Sequence, residues 1–130
     1  MNIKKRLSAV ITIKDKIAVQ SFSYKKYLPI GKPEILVENF DRWGVDEIII
    51  QVIDQKNVGP DLELLDKISR KPIATPIIYS GGISSAEHAK SAIRYGADRI
   101  VLGSLFFENY REIIKISNVI GAQEIGRAHV

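Results

Sequence analysis

The sequence predicts a parallel α/β fold in which four strands alternate with helices, and three observations carry that prediction. Four short apolar runs, Ser8–Ile13, Glu47–Ile53, Pro76–Tyr79 and Arg99–Leu102, are rich in β-branched residues. Their centres are nearly continuous in apolar residues, as in Ile48-Ile49-Ile50, which marks strands covered on both faces as in parallel sheets. Stretches with helical spacing lie between the runs, and such alternation implies right-handed crossovers. An internal repeat spans two such units: Gly44-Val45-Asp46-Glu47-Ile48-Ile49-Ile50 echoes Gly96-Ala97-Asp98-Arg99-Ile100-Val101-Leu102. In each copy a glycine ends a helix, an acid occupies the turn and a strand begins. A barrel built by duplication and a doubly wound open sheet both accommodate such a repeat.

The elements follow in order. Lys4-Lys5-Arg6 before Leu7–Ile13 resembles the start of a signal peptide, but Ser8 and Thr12 interrupt the apolar run and Lys14 ends it, so a first strand is expected instead. Ile17–Ser23 can form a small outer strand pair. Tyr24-Lys25-Lys26-Tyr27-Leu28-Pro29 reads as either a closing lid or a loop packed on the rim. Pro33 opens a first helix that carries Leu36, Phe40 and Trp43 at helical spacing and stops at Gly44. Pro60 opens a second segment, with Leu64, Leu65 and Ile68 on one face. Ser84 and Glu87 form a capping box ahead of Ala89, Ala92 and Ile93. A fourth helix is expected from about Asn109 to Ile120, burying Ile113, Ile116 and Ile120.

Bulk properties bound the function. One domain fits 130 residues, and 45% hydrophobic with 26% charged residues is ordinary globular composition. The chain has no cysteine, which excludes a disulfide framework or a cysteine zinc site and suits a cytoplasmic location. No run approaches the length of a membrane span. The net charge of +4 comes from scattered residues, which suits an anionic small molecule better than nucleic acid.

Active groups in such folds sit on the loops after the strands. After the third run come Ser80-Gly81-Gly82-Ile83 and a capped helix. After the fourth come Gly103 and Ser104. Glycines let the backbone approach a ligand, and a helix start offers N–H groups to an anion. Gly81, Gly82, Gly103 and Ser104 are therefore candidate phosphate ligands, and two tight turns that simply need glycine are the plain alternative. Asp15 and Asp54 read as loop carboxylates and His88 as a solvated histidine. No metal motif, P-loop or serine-hydrolase motif is present.

Lys5-Arg6-Leu7, Lys14-Asp15, Gly44-Val45-Asp46-Glu47, Gly81-Gly82-Ile83, Gly96-Ala97-Asp98-Arg99 and Glu108-Asn109, in that order, resemble the cyclase subunit of imidazole glycerol phosphate synthase from about Lys4 to Gln123. The resemblance implies the N-terminal half of a (βα)8 TIM-type barrel. It also implies a lyase of histidine biosynthesis that takes ammonia from a glutaminase subunit, acts on a phosphorylated small molecule, and needs no metal or organic cofactor. By position it places the phosphate site on Gly82, Gly103 and Ser104, an ammonia gate on Arg6, Glu47 and Arg99, and a glutaminase contact on Asp98. The catalytic aspartate of the first strand falls on Thr12, a second aspartate on Val52 and a loop lysine on Gln20. A hydroxyl cannot replace a carboxylate that exchanges protons near neutrality, so no catalytic residue is expected to be retained. That departure is similar to paralogues associated with surface-polysaccharide synthesis, which are thought to pass ammonia to a sugar amidotransferase without cyclising.

Glu124–Val130 match the translation of a common sequencing-library adapter, so residues 1–123 are expected to form the half barrel and 124–130 an unrelated tail. A half barrel leaves sheet edges and a core face open, and the chain is expected to self-associate.

Overall fold

The computed structural model describes residues 6–22, 26–103, 110–121 and 125–127. The strands are β1 (Ser8–Lys14), β2 (Ile17–Phe22), β3 (Lys26–Gly31), β4 (Glu47–Val52), β5 (Ile77–Ser80), β6 (Arg99–Leu102) and β7 (Ile125–Arg127). The helices are α1 (Pro33–Arg42), α2 (Leu62–Ser69), α3 (Ala86–Arg94) and α4 (Tyr110–Ile120). They build one sheet in the order β3-β2-β1-β4-β5-β6-β7. β1, β4, β5, β6 and β7 run parallel, while β2 and β3 form an antiparallel hairpin on β1. Among the described residues the sheet does not close, and the architecture is a partial TIM-type barrel.

All four predicted strands form within a residue or two of their expected bounds. The first loop is the strand pair β2–β3, so Lys26–Gly31 is a strand, and Lys14 Nζ lies 4.2 Å from the centre of the Tyr27 ring. β7 falls in the segment expected to be an unrelated tail. Its partner is the free edge of β6, and an open strand edge accepts any extended backbone.

Burial alternates along β1, β4 and β6, whereas Ile77, Ile78 and Tyr79 of β5 are all buried. Ile11, Ile13, Ile48, Ile50, Tyr79, Ile100 and Leu102 are buried and join Val37, Leu65, Ala89, Ala92 and Ile116 of the helices in one core. This is the period of two that places successive side chains on opposite faces. The other face reads in rows fixed by register: Val10, Ile49, Ile78 and Arg99, then Thr12, Gln51, Ser80 and Val101. Val10 is 55% exposed. The apolar continuity of the strands therefore supplies a second face, but among the described residues nothing covers Val10.

The helix ends are set by identifiable groups. Asp61 caps α2, its carboxylate accepting from Leu64 N at 3.1 Å. α3 is capped by Ser85, whose hydroxyl accepts from His88 N at 3.1 Å, and not by Ser84. Ser85 has the extended backbone of a cap, so its oxygen reaches the third helical amide. Trp43 follows α1 as its C-cap and is 70% exposed; it touches Phe40 edge-on with ring centres 5.5 Å apart.

Candidate functional site

The two ends of the strands carry different chemistry. At the C-terminal ends, the β4–α2 turn, the β5–α3 turn and Gly103 after β6 surround a cleft of about 410 Å³. Val52, Lys56, Gly81, Gly82, Ser84 and Gly103 line it. The two glycine turns predicted from sequence thus meet at one mouth. Ser104 lies outside the described residues.

The glycines do not all serve the same purpose. A Cβ on Gly81 would stand 2.4 Å from Val52 O, and one on Gly82 would stand 2.3 Å from Gly59 O. Both backbones also have positive φ, at 137° and 73°. Packing against the β4–α2 turn therefore requires glycine at both positions, ligand or not. Among the described residues, nothing lies within 4 Å of a Cβ added at Gly103, so no close contact with them explains this glycine. Among the described residues, the amides of Gly82 and Ile83 donate to no protein group. The Ser84 amide is committed, donating to His88 Nδ1 at 3.2 Å. His88, expected to be solvated, instead fastens this turn, with Ser84 Oγ also 3.2 Å from Nδ1.

Thr12, where the resemblance leads one to expect an acid, lies in register with Gln51, and Gln51 with Ser80. This row contains no carboxylate. Val52 is buried and Gln20 is exposed on β2. The nearby acids are structural. Asp54 accepts from Asp15 N at 2.8 Å, which ties the β1–β2 hairpin to the β4–α2 turn. Asp61, almost wholly buried, also takes Lys16 Nζ at 3.0 Å, and its amide donates to Tyr79 Oη at 2.7 Å. Burial pushes the Tyr79 phenol well above its ordinary range. Among the described residues, no group of three or more His, Asp or Glu is placed to hold a metal ion.

Sequence reasoning missed Lys56, the one charged residue lining the cleft among the described residues. It belongs to no motif, and only the fold brings it opposite the glycine turns.

At the opposite end, Arg6 precedes β1, Glu47 opens β4 and Arg99 opens β6. The proposed gate residues therefore share one end of the sheet. Glu47 accepts from the Ser8 hydroxyl, and no ion pair joins the three among the described residues. Asp98 has a definite structural role: Ile77 N donates to its carboxylate at 2.8 Å while Asp98 N donates to Ile77 O at 2.8 Å. The first copy of the repeat does the same. Leu7 N donates to Asp46 at 2.6 Å, and Asp46 N donates to Leu7 O at 2.8 Å. Each repeat aspartate thus clamps the start of the neighbouring strand.

Comparison with known proteins agrees with this geometry. The family model described as "Histidine biosynthesis protein" matches residues 6–125. The chain is 32% identical over 123 residues to a provisionally named imidazole glycerol phosphate synthase subunit hisF2 of Vibrio vulnificus (strain YJ016), covering 93% of this chain and 45% of the relative. It is 30% identical over 125 residues to the imidazole glycerol phosphate synthase subunit HisF of Pyrococcus furiosus, covering 95% and 49%. The chain spans about half the length of the curated relatives it matches. With nearly the whole chain covered by the family model and the barrel-type repeat present in its fold, this chain belongs to the histidine biosynthesis protein family.

Proposed function

We propose that this chain is the phosphate-binding half of a cyclase-type subunit of imidazole glycerol phosphate synthase, in which Gly82, Gly103 and Ser104, with Gly81, hold the phosphate of a small-molecule substrate. The observation that carries this reading is the meeting of the β5–α3 turn and Gly103 in one cleft, with unoccupied amides at Gly82 and Ile83. Preorganised amides stabilise an anion without reorganisation. In this reading a glutaminase subunit docks at the opposite end and delivers ammonia past Arg6, Glu47 and Arg99, with Asp98 at the contact. The reaction class is that of a lyase in histidine biosynthesis, located in the cytoplasm.

A second reading is favoured by one specific observation: the row Thr12, Gln51, Ser80 and Val101 at the mouth has no carboxylate. In this reading the subunit conducts ammonia to a sugar amidotransferase without closing a ring. A protein carrying this half together with a complete second half, supplied with free ammonia and a phosphosugar substrate, separates the two. Ring closure supports the cyclase; phosphate binding without ring closure supports the conduit. Failure to bind any phosphorylated ligand overturns both. In either reading residues 1–123 form the half barrel and 124–130 play no part in function.

A further inference from the structure

We propose that Lys56 is the charge-bearing ligand of the mouth, its ammonium neutralising the phosphate monoester that the glycine turns cradle. This inference rests on the phosphate reading above and names the residue that gives the site its charge.

Three observations converge on it. First, among the described residues Lys56 is the only charged one lining the cleft, and no carboxylate lines it. Backbone amides alone are neutral donors, whereas a phosphate monoester carries close to two negative charges near neutrality. One cation facing the amides raises the affinity for such a group, and lysine binds phosphate as a compact point charge.

Second, Lys56 is unclaimed. Among the described residues no carboxylate pairs with it, whereas Lys16 is held by Asp61 at 3.0 Å and Lys14 lies over the Tyr27 ring at 4.2 Å. The nearby acid Asp54 is turned to Asp15 N, 2.8 Å away. Lys56 is exposed, so its ammonium remains solvated until a ligand arrives.

Third, its position is fixed relative to the glycines. Gln55 O accepts from Val58 N at 3.0 Å and Gly59 N at 3.3 Å. The Gln55 amide returns to Gly59 O at 3.0 Å, and Gln55 is 9% exposed. The same Gly59 O leaves no room for a Cβ on Gly82. The turn carrying Lys56 and the turn carrying Gly82 are therefore packed backbone to backbone, and only the lysine side chain remains to be ordered on binding.

The test is titration of the full chain with inorganic phosphate, followed by calorimetry and by amide chemical shifts, for the wild type, Lys56→Met, Lys56→Arg and Gly103→Val. Lys56→Met is expected to weaken phosphate binding by about tenfold to a hundredfold, the range of one hydrogen bond to a charged group. Lys56→Arg is expected to stay within a few-fold of wild type. Gly103→Val adds bulk where no atom of the described residues lies within 4 Å, so it is expected to fold and to block the cleft. Wild-type affinity in Lys56→Met with binding abolished in Gly103→Val overturns the role of Lys56 and leaves the phosphate site standing. No saturable phosphate response in the wild type overturns both.

Discussion

Lys16 sits at a point where two opposing terms can be separated experimentally. It is the second residue of the two-residue β1–β2 turn, and Asp15 and Lys16 both have positive φ, at 53° and 67°. Hairpin turns of this kind favour Asn-Gly or Asp-Gly, because a Cβ in the left-handed region costs about 1–2 kcal/mol. Lys16 instead places its ammonium 3.0 Å from Asp61, whose side chain is 3% exposed while that of Lys16 is 66% exposed. The lysine's exposure screens the pair, so its contribution is about 1 kcal/mol, toward the top of the range for exposed pairs. Lys16→Ala loses the pair and keeps the strain, so a loss of about 1 kcal/mol is expected. Lys16→Gly loses the pair but relieves the strain, and its greater unfolded-state freedom returns part of that gain. It should fall within about 0.5 kcal/mol of wild type and stand above Lys16→Ala. Urea midpoints for the three proteins at neutral pH provide the measurement. Equal midpoints for the alanine and glycine variants would refute the strain argument, and a wild-type midpoint for Lys16→Ala would refute the ion pair. The pH dependence has a definite sign. Hydrogen bonding to Asp61 raises the Lys16 pKa, so its contribution is complete below the ordinary lysine value and disappears as pH rises through the raised one. The wild-type advantage over Lys16→Ala should shrink as pH rises on the alkaline side.

Four further outcomes follow from the geometry. Gly82→Ala, which would place a Cβ 2.3 Å from Gly59 O, is expected to cost more than about 3 kcal/mol or prevent folding, whereas Gly103→Ala should be nearly neutral; thermal melts of both variants check this. Hydrogen bonds from the Thr75 hydroxyl, the Thr75 amide and the Ala74 amide lower the Asp41 pKa, so its contribution is complete above the ordinary carboxylate range and lost as pH falls through the lowered value. Asp41→Asn should flatten that part of the acid unfolding curve. Asp46→Ala and Asp98→Ala should each destabilise by about 1–2 kcal/mol in urea, since each releases a strand-entrance amide. With Val10 55% exposed at the open edge of the second sheet face, sedimentation should show the chain associating in a concentration-dependent manner, and a monodisperse monomer with cooperative melting would contradict that.

Strand positions were legible because β-branched apolar runs bounded by glycine and charge admit few alternatives, whereas their register came only from the structure. Helix starts were less legible. Ser84 and Ser85 are equally able caps in sequence, and the turn made by Gly81 and Gly82 presents Ser85 to the helix, giving Ser84 to His88 instead. Trp43 shares the spacing of Leu36 and Phe40, yet it caps the helix and faces solvent; spacing alone does not register where a helix ends. At the mouth, the pairing of Gly81 and Gly82 with Gly103 was readable, because both turns follow strands. What sequence could not separate was glycine needed for packing from glycine left open, which depends on Val52 O and Gly59 O one turn away. Lys56 was invisible for a related reason: a lone loop lysine gains meaning only from what stands opposite it.

The repeat aspartates bear on how resemblance should be read at the other end of the sheet. The glutaminase contact proposed at Asp98 falls on a carboxylate that also clamps Ile77. Asp46 performs the same clamp on Leu7, so the shared function of the two copies is structural. A clamp uses one carboxylate oxygen for the neighbouring amide. The second oxygen at an exposed strand entrance is therefore presented in a fixed direction, which is what a docking contact requires. The structural role and the proposed partner role of Asp98 are thus compatible, and the first would prepare the second. A loss of partner binding in an Asp98 variant consequently has two possible causes, loosening of β5 and removal of the contact. Asp46→Ala has the same clamp and lies outside the assigned contact, so its stability loss measures the first cause, and whatever Asp98→Ala loses in docking beyond that belongs to the second.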